Sequence, residues 1–115
     1  MSTPLEGLRV IELAHVMAGP ICGLFLGDLG ADVIKVERLP GGDTTRYFSP
    51  PEIEGESAAF MMLNRGKRGV ALDLRTEEGR AVVRQMVSSA DVVIENFRAG
   101  TMERMGLGYE ALALL

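Results

Sequence analysis

Four short runs of β-branched and aliphatic residues recur at separations that leave room for a helix between them. They lie at residues 8–13, 32–37, 69–74 and 91–96, centred on Val10-Ile11, Val33-Ile34, Val70-Ala71 and Val92-Val93-Ile94. Short apolar runs bounded by turn residues read as buried strands. Between the first two, Pro20 suits a first helical turn, Ile21, Leu24, Phe25 and Leu26 recur at helical spacing, and Gly30 suits the stop. Cys22 falls in the same stretch and is expected to pack into the core. Between the last two, Thr76 is a capping residue, Glu77 and Glu78 complement the helix dipole, and Val82, Val83, Met86, Val87 and Ala90 form an apolar stripe. Strand, helix, strand units of this kind predict an α/β fold: a parallel sheet covered on both faces and joined by right-handed crossovers. Residues 40–55 read as a long surface loop, followed by a short helix over 57–63. The apolar run 109–115 starts like a helix and has no polar turn or cap to end it, so the chain reads as the N-terminal portion of something longer.

With 115 residues, 47% of them apolar, such a chain can build a core without disulfides or a structural metal. Cys22 has no internal partner, and one Cys with one His, His15, cannot complete a four-ligand zinc site, so a reducing cytoplasm is the expected compartment. The net charge of −4 argues against a nucleic-acid or anionic-membrane partner. The most apolar stretch, 16–29, is broken by glycines, Pro20 and Asp28, so neither a membrane span nor a signal segment is expected. Ten of the twelve cations are Arg, which fits bidentate phosphate contacts and equally fits codon bias.

In an open parallel sheet, ligands sit outside the carboxyl ends of the strands. Those ends carry His15 to Pro20, Arg38, Leu72 to Arg75 and Asn96 to Arg98, with Arg104 close behind. The arginines suit a phosphate-bearing ligand such as a nucleotide or coenzyme A, although spacing alone reads them more readily as solvated loop charges. Glu37 stands where a ribose-binding acid would stand, yet Gly19, Gly23, Gly27 and Gly30 do not give the G-x-G-x-x-G turn, and Gly66-Lys67 lacks the rest of a Walker loop. The carboxylates Glu12, Glu37, Asp73 and Glu95 read as loop caps or Arg partners, or as acid-base groups. No Ser or Cys stands beside His15 in a motif, so a triad is not indicated. Arg65, Lys67 and Arg68 read as a solvated loop or a phosphate contact.

Several motifs, in order, carry a family resemblance. They are residues 7–13, Ala18-Gly19-Pro20, 28–37, Gly42-Asp43, 64–68, 71–74, 95–98 and 106–110. Over almost its whole length the chain resembles the N-terminal part of a family III CoA-transferase, the group of formyl-CoA transferase, carnitine CoA-transferase and alpha-methylacyl-CoA racemase. The resemblance implies a Rossmann-like parallel sheet with flanking helices, forming the N-terminal part of a large domain, with the small domain and catalytic segment outside this chain. It further implies an interlocked homodimer for the full-length protein. Coenzyme A, entering as acyl-CoA, would be lined by Arg38, Leu72, Asp73, Leu74, Arg75, Asn96, Phe97, Arg98 and Arg104, with Val16, Met17 and Ala18 near the thioester. The other substrate would be a carboxylic acid, with no metal involved. In the family an Asp attacks the acyl-CoA to give a mixed anhydride and a CoA thiolate. That Asp is expected beyond Leu115, so no catalytic residue is assigned and the isolated chain is expected to be inactive. Met17 stands where the formyl-CoA and oxalate branch carries Gln, which removes a hydrogen bond to a small anionic acyl group. The alternatives are an acyl-CoA racemase or isomerase of the same family, and a non-catalytic CoA- or nucleotide-binding module.

Overall fold

The computed structural model describes residues 2–115. In chain order the elements are β1 (Arg9–Glu12), α1 (Ala18–Asp28), β2 (Asp32–Arg38), a 3-10 turn (Thr44–Tyr47), β3 (Glu52–Ile53), β4 (Glu56–Ser57), α2 (Ala58–Asn64), β5 (Arg68–Leu72), α3 (Glu77–Val87), β6 (Val92–Ile94), α4 (Thr101–Arg104) and α5 (Tyr109–Leu112). The four anticipated strands all form and pair in parallel, in the order β5-β2-β1-β6. Counting only these strands in chain order, the sheet reads 3-2-1-4. The direction of strand addition therefore reverses between β1 and β6, the place where open α/β sheets leave a crevice.

Parallel pairing puts alternate residues of β1 on opposite faces. Ile11 and Leu13 point to one side, where Val36 of β2, Val83 and Val87 of α3, Met102 of α4 and Leu107 complete a core. Val10 and Ala14 point to the other, against Val33, Ile94 and Leu26 of α1. The α3 cap is as expected, with the Thr76 hydroxyl accepting from the Gly79 N–H. Ser57 caps α2 in the same way, accepting from the Phe60 N–H. Gly30 ends α1 with φ +108, a conformation that costs any residue with a Cβ.

Four local expectations are corrected. Cys22 is exposed, because the inner face of α1 is taken by Gly19, Pro20, Gly23 and Leu24. Val82 is also exposed, which leaves the α3 stripe on Val83 and Val87, with Met86 and Ala90 partly buried against the same core. The edge strand β5 is uncovered on one side, with Gly69 and Ala71 exposed. Residues 40–55 are not a plain surface loop: they hold the 3-10 turn and the β3 strand of a small antiparallel hairpin, and Asp43 and Thr45 are fully buried. Their burial is set by partners on β2 and by the loop after β1, which local composition does not reveal.

Candidate functional site

The carboxyl ends of all four sheet strands open onto a groove. At the reversal point the loop after β1 is tied to the loop after β6: Asn96 Oδ1 accepts from the His15 N–H at 2.9 Å and Asn96 Nδ2 donates to the His15 carbonyl at 2.8 Å. The His15 ring lies 5.6 Å from the Phe97 ring. Burial lowers the His15 pKa, Asp43 opposes, and Lys35 and Arg38 add to the lowering, which favours the neutral ring. Its Nδ1 is buried without a partner. The next residue, Val16, has φ +68, a backbone region a β-branched side chain rarely adopts.

That turn rests on buried charge. The Val16 N–H donates to both Asp43 carboxylate oxygens, at 3.1 and 3.3 Å, and Asp43 also accepts from the Thr45 N–H and hydroxyl. Lys35 lies 2.9 Å from Asp43 and 3.0 Å from Glu12, and Lys67 lies 2.9 Å from Glu12. The Lys67 contact to Glu12 Oε1 is an ion pair without hydrogen-bond geometry, while Oε2 accepts from Lys67 at 3.1 Å. Burial pushes Asp43 up, but the bonds from Lys35 and Thr45 prevail and leave its pKa lowered to about 2. Burial lowers the Lys67 pKa, with Glu12 opposing. Lys67 is thus no solvated loop charge, in contrast to its exposed neighbours Arg65 and Arg68, which pair with Asp28 and Asp32. Glu37 is not free to hold a ribose: Arg46 binds it through two bonds of 2.7 Å, which lower its pKa, and the Asp43 N–H donates to it as well.

Two adjoining cavities of about 500 and 490 Å³ share His15, Arg38 and Phe97. The first is walled by Leu39, Pro40, Asp73, Leu74, Arg75, Arg80, Thr101 and Met105. The second is walled by Val16, Met17, Ala18, Thr44, Asn96 and Arg98. Ten of the twelve residues singled out in the sequence therefore line one groove. The other two do not: Leu72 packs against the core, and Arg104 turns to the Thr101 hydroxyl on α4. Arg80, Leu39, Pro40, Thr44, Thr101 and Met105 were missed. Leu39-Pro40 directly follow Arg38, so extending the strand-end rule by two residues finds them, whereas Arg80 reaches the groove from α3, where its guanidinium donates to the Leu74 carbonyl. Among the described residues Arg38 and Arg98 have no carboxylate partner, while Arg75 forks onto Asp73 in an exposed pair. A cationic rim over apolar walls suits a ligand with phosphate at one end and apolar surface at the other.

Fold and groove together define an α/β protein with a candidate ligand groove at the carboxyl edge of a parallel sheet. The model of CoA-transferase family III matches residues 5–114, and the chain belongs to that family. It is 53% identical to a succinate–glutarate CoA-transferase of Agrobacterium fabrum, over 97% of this chain and 30% of that protein. It is 51% identical to a succinyl-CoA:mesaconate CoA-transferase of Haloarcula hispanica, over 94% of this chain and 28% of that protein. A crystal structure of a CAIB/BAIF family protein from Brucella suis superposes with a TM-score of 0.92 at 54% identity, covering 99% of this chain and 31% of that one. The chain thus spans under a third of the length of these relatives. Among the described residues no helix is long and apolar enough to cross a membrane.

Proposed function

We propose that the chain carries the coenzyme A-binding part of a CoA-transferase, which moves CoA between an acyl-CoA thioester and a carboxylic acid. The observation that supports this most directly is the pair of adjoining cavities rimmed by Arg38, Arg75, Arg80 and Arg98 and walled by Leu74, Phe97 and Met105. In this reading the arginines take the phosphate charge, the apolar wall takes the rest of the coenzyme, and Val16, Met17 and Ala18 face the thioester. The chain is the N-terminal part of a Rossmann-like large domain. The nucleophilic Asp and the small domain lie outside these 115 residues, and the complete protein is a cytoplasmic interlocked dimer. The relatives' names favour short dicarboxylates as the acids exchanged, and a transferase over a racemase.

The test is CoA exchange from succinyl-CoA to glutarate, mesaconate and malate by the full gene product that contains residues 1–115, followed by mass spectrometry. A new acyl-CoA is expected. Deuterium entering at the α-carbon without exchange of the acid would instead mark a racemase. Calorimetric binding of NAD in place of CoA would mark a nucleotide module.

A further inference from the structure

Under the groove, the sheet face toward α1 carries a row of charge where apolar packing is the rule. Lys67, Glu12, Lys35 and Asp43 follow one another at 2.9 to 3.0 Å, and each side chain is 0 to 3% exposed. Buried ion pairs of this kind contribute little net stability compared with apolar residues of the same volume, and their best-attested use is to fix position. The ends of the row show what is fixed. At one end Asp43 holds the Val16 N–H; at the other, Lys67 donates to the Pro20 carbonyl at 2.9 Å and to Asn64. Val16 and Pro20 bracket Met17, Ala18 and Gly19, the segment that passes from the groove wall into the first turn of α1.

Val16 needs such a hold. Its left-handed backbone is unfavourable for a β-branched residue and persists only where the surroundings impose it. Asp43 is itself anchored, by Lys35, by Thr45, and through its own N–H by Glu37, which Arg46 secures. The preceding residue, His15, is fastened independently by Asn96.

We propose that Asp43 is a positioning residue of the transferase site: its carboxylate, held by Lys35, pins the Val16 amide and so sets the shape of the turn that receives the acyl end of the ligand. This assignment rests on the transferase reading above. It predicts a division of labour, in which the arginines of the rim govern coenzyme affinity and the buried row governs turnover.

The test compares Asp43→Ala with the double variant Lys35→Met/Asp43→Ala in the full gene product. The single variant leaves an ammonium short of a partner, and the double does not. Four quantities are read: kcat and KM for succinyl-CoA, Kd for free CoA, the thermal midpoint, and the amide proton shift and exchange of Val16 by NMR. In both variants the Val16 amide is expected to lose its shift and protection and kcat to fall on the order of 100-fold, as for a reacting group displaced by about an ångström. Affinity for free CoA is expected to stay within about threefold. The double variant is expected to regain the thermal midpoint without regaining kcat. If it regains both, or if kcat and CoA affinity fall together, the role is structural only and the proposal is overturned; an unchanged Val16 amide overturns the pin itself. A wild-type protein with no turnover overturns the transferase reading and the positioning role with it, a result kept distinct from the others by the Val16 amide.

Discussion

Glu12→Gln is the most informative single change to the buried row. Glu12 is fully buried, 3.0 Å from Lys35 and 2.9 Å from Lys67. Removing one partner of a buried pair costs about 3–5 kcal/mol. Two pairs are broken here, yet each ammonium keeps other acceptors: Lys35 retains Asp43 and the Ala14 carbonyl, and Lys67 retains Asn64 and the Pro20 carbonyl. The expected loss is therefore that of one pair, about 3–5 kcal/mol, and not twice that. A folded domain has roughly 5–15 kcal/mol to lose. The lowered Lys67 pKa gives the loss a sign in pH. Without Glu12 the folded state sheds the Lys67 proton sooner than the unfolded state does, so the variant regains stability as pH rises toward the unfolded lysine value of 10.5. Urea unfolding followed by far-UV circular dichroism reads both effects. The double variant Glu12→Leu/Lys67→Met, which removes both charges together, should lie within about 1 kcal/mol of wild type. A Glu12→Gln loss below about 1 kcal/mol, or a double variant as unstable as the single one, would refute the reasoning.

Gly23→Ala places a methyl group against the Glu12 carboxylate, so α1 must shift outward, and a loss of about 1–3 kcal/mol is expected by thermal melting. Arg75→Ala removes an exposed ion pair and should change stability by less than about 0.5 kcal/mol, while weakening CoA binding about tenfold or more by calorimetry; equal affinity would remove Arg75 from the site. Asp43 has a folded pKa of about 2 against 3.8 when unfolded. Its contribution is thus complete above about pH 4 and lost as pH falls toward 2, and melting temperatures that stay level from pH 5 to pH 2 would contradict this. The isolated 115-residue chain, with Phe25, Leu29, Met62, Leu114 and Leu115 exposed and β5 open at its edge, is expected to self-associate; a cooperatively melting monomer in sedimentation would prove this wrong.

The sheet was legible in the sequence because its strands are short β-branched runs whose signal is local. The same holds for α3, where Thr76, the two glutamates and Val83 and Val87 all point the same way. The groove was legible in outline because strand ends are where an α/β sheet leaves space, so Arg38, Leu74, Arg75 and Phe97 could be named without coordinates. What local pattern could not give was anything that depends on a distant partner. Asp43 sits in a stretch of Gly, Pro, Asp and Thr that looks solvated, and its distant partners Lys35, Glu37 and the Val16 amide are what make it a buried group. Lys67 looks like one of three surface cations until Glu12, fifty-five residues away, is placed beneath it. Cys22 and Val82 lie in the right helices on the outward face, since Gly19 and Gly23 turn the close-approach side of α1 inward and Val83 takes the place next to Val82 on α3.

The tie between His15 and Asn96 spans 81 residues. It exists only once the chain, having added strands outward from β1 to β5, crosses back over two of them to lay β6 on the opposite edge of β1. Closing so long a loop defers its reward until late, which places the docking of β6 among the slow steps of folding. The groove is therefore the last part of this region to be made. During synthesis, β1, β2 and β5 have already emerged while the groove still lacks the wall that residues 96–98 supply. On the proposed reading, a ligand touching both walls would stabilise the step that completes the sheet.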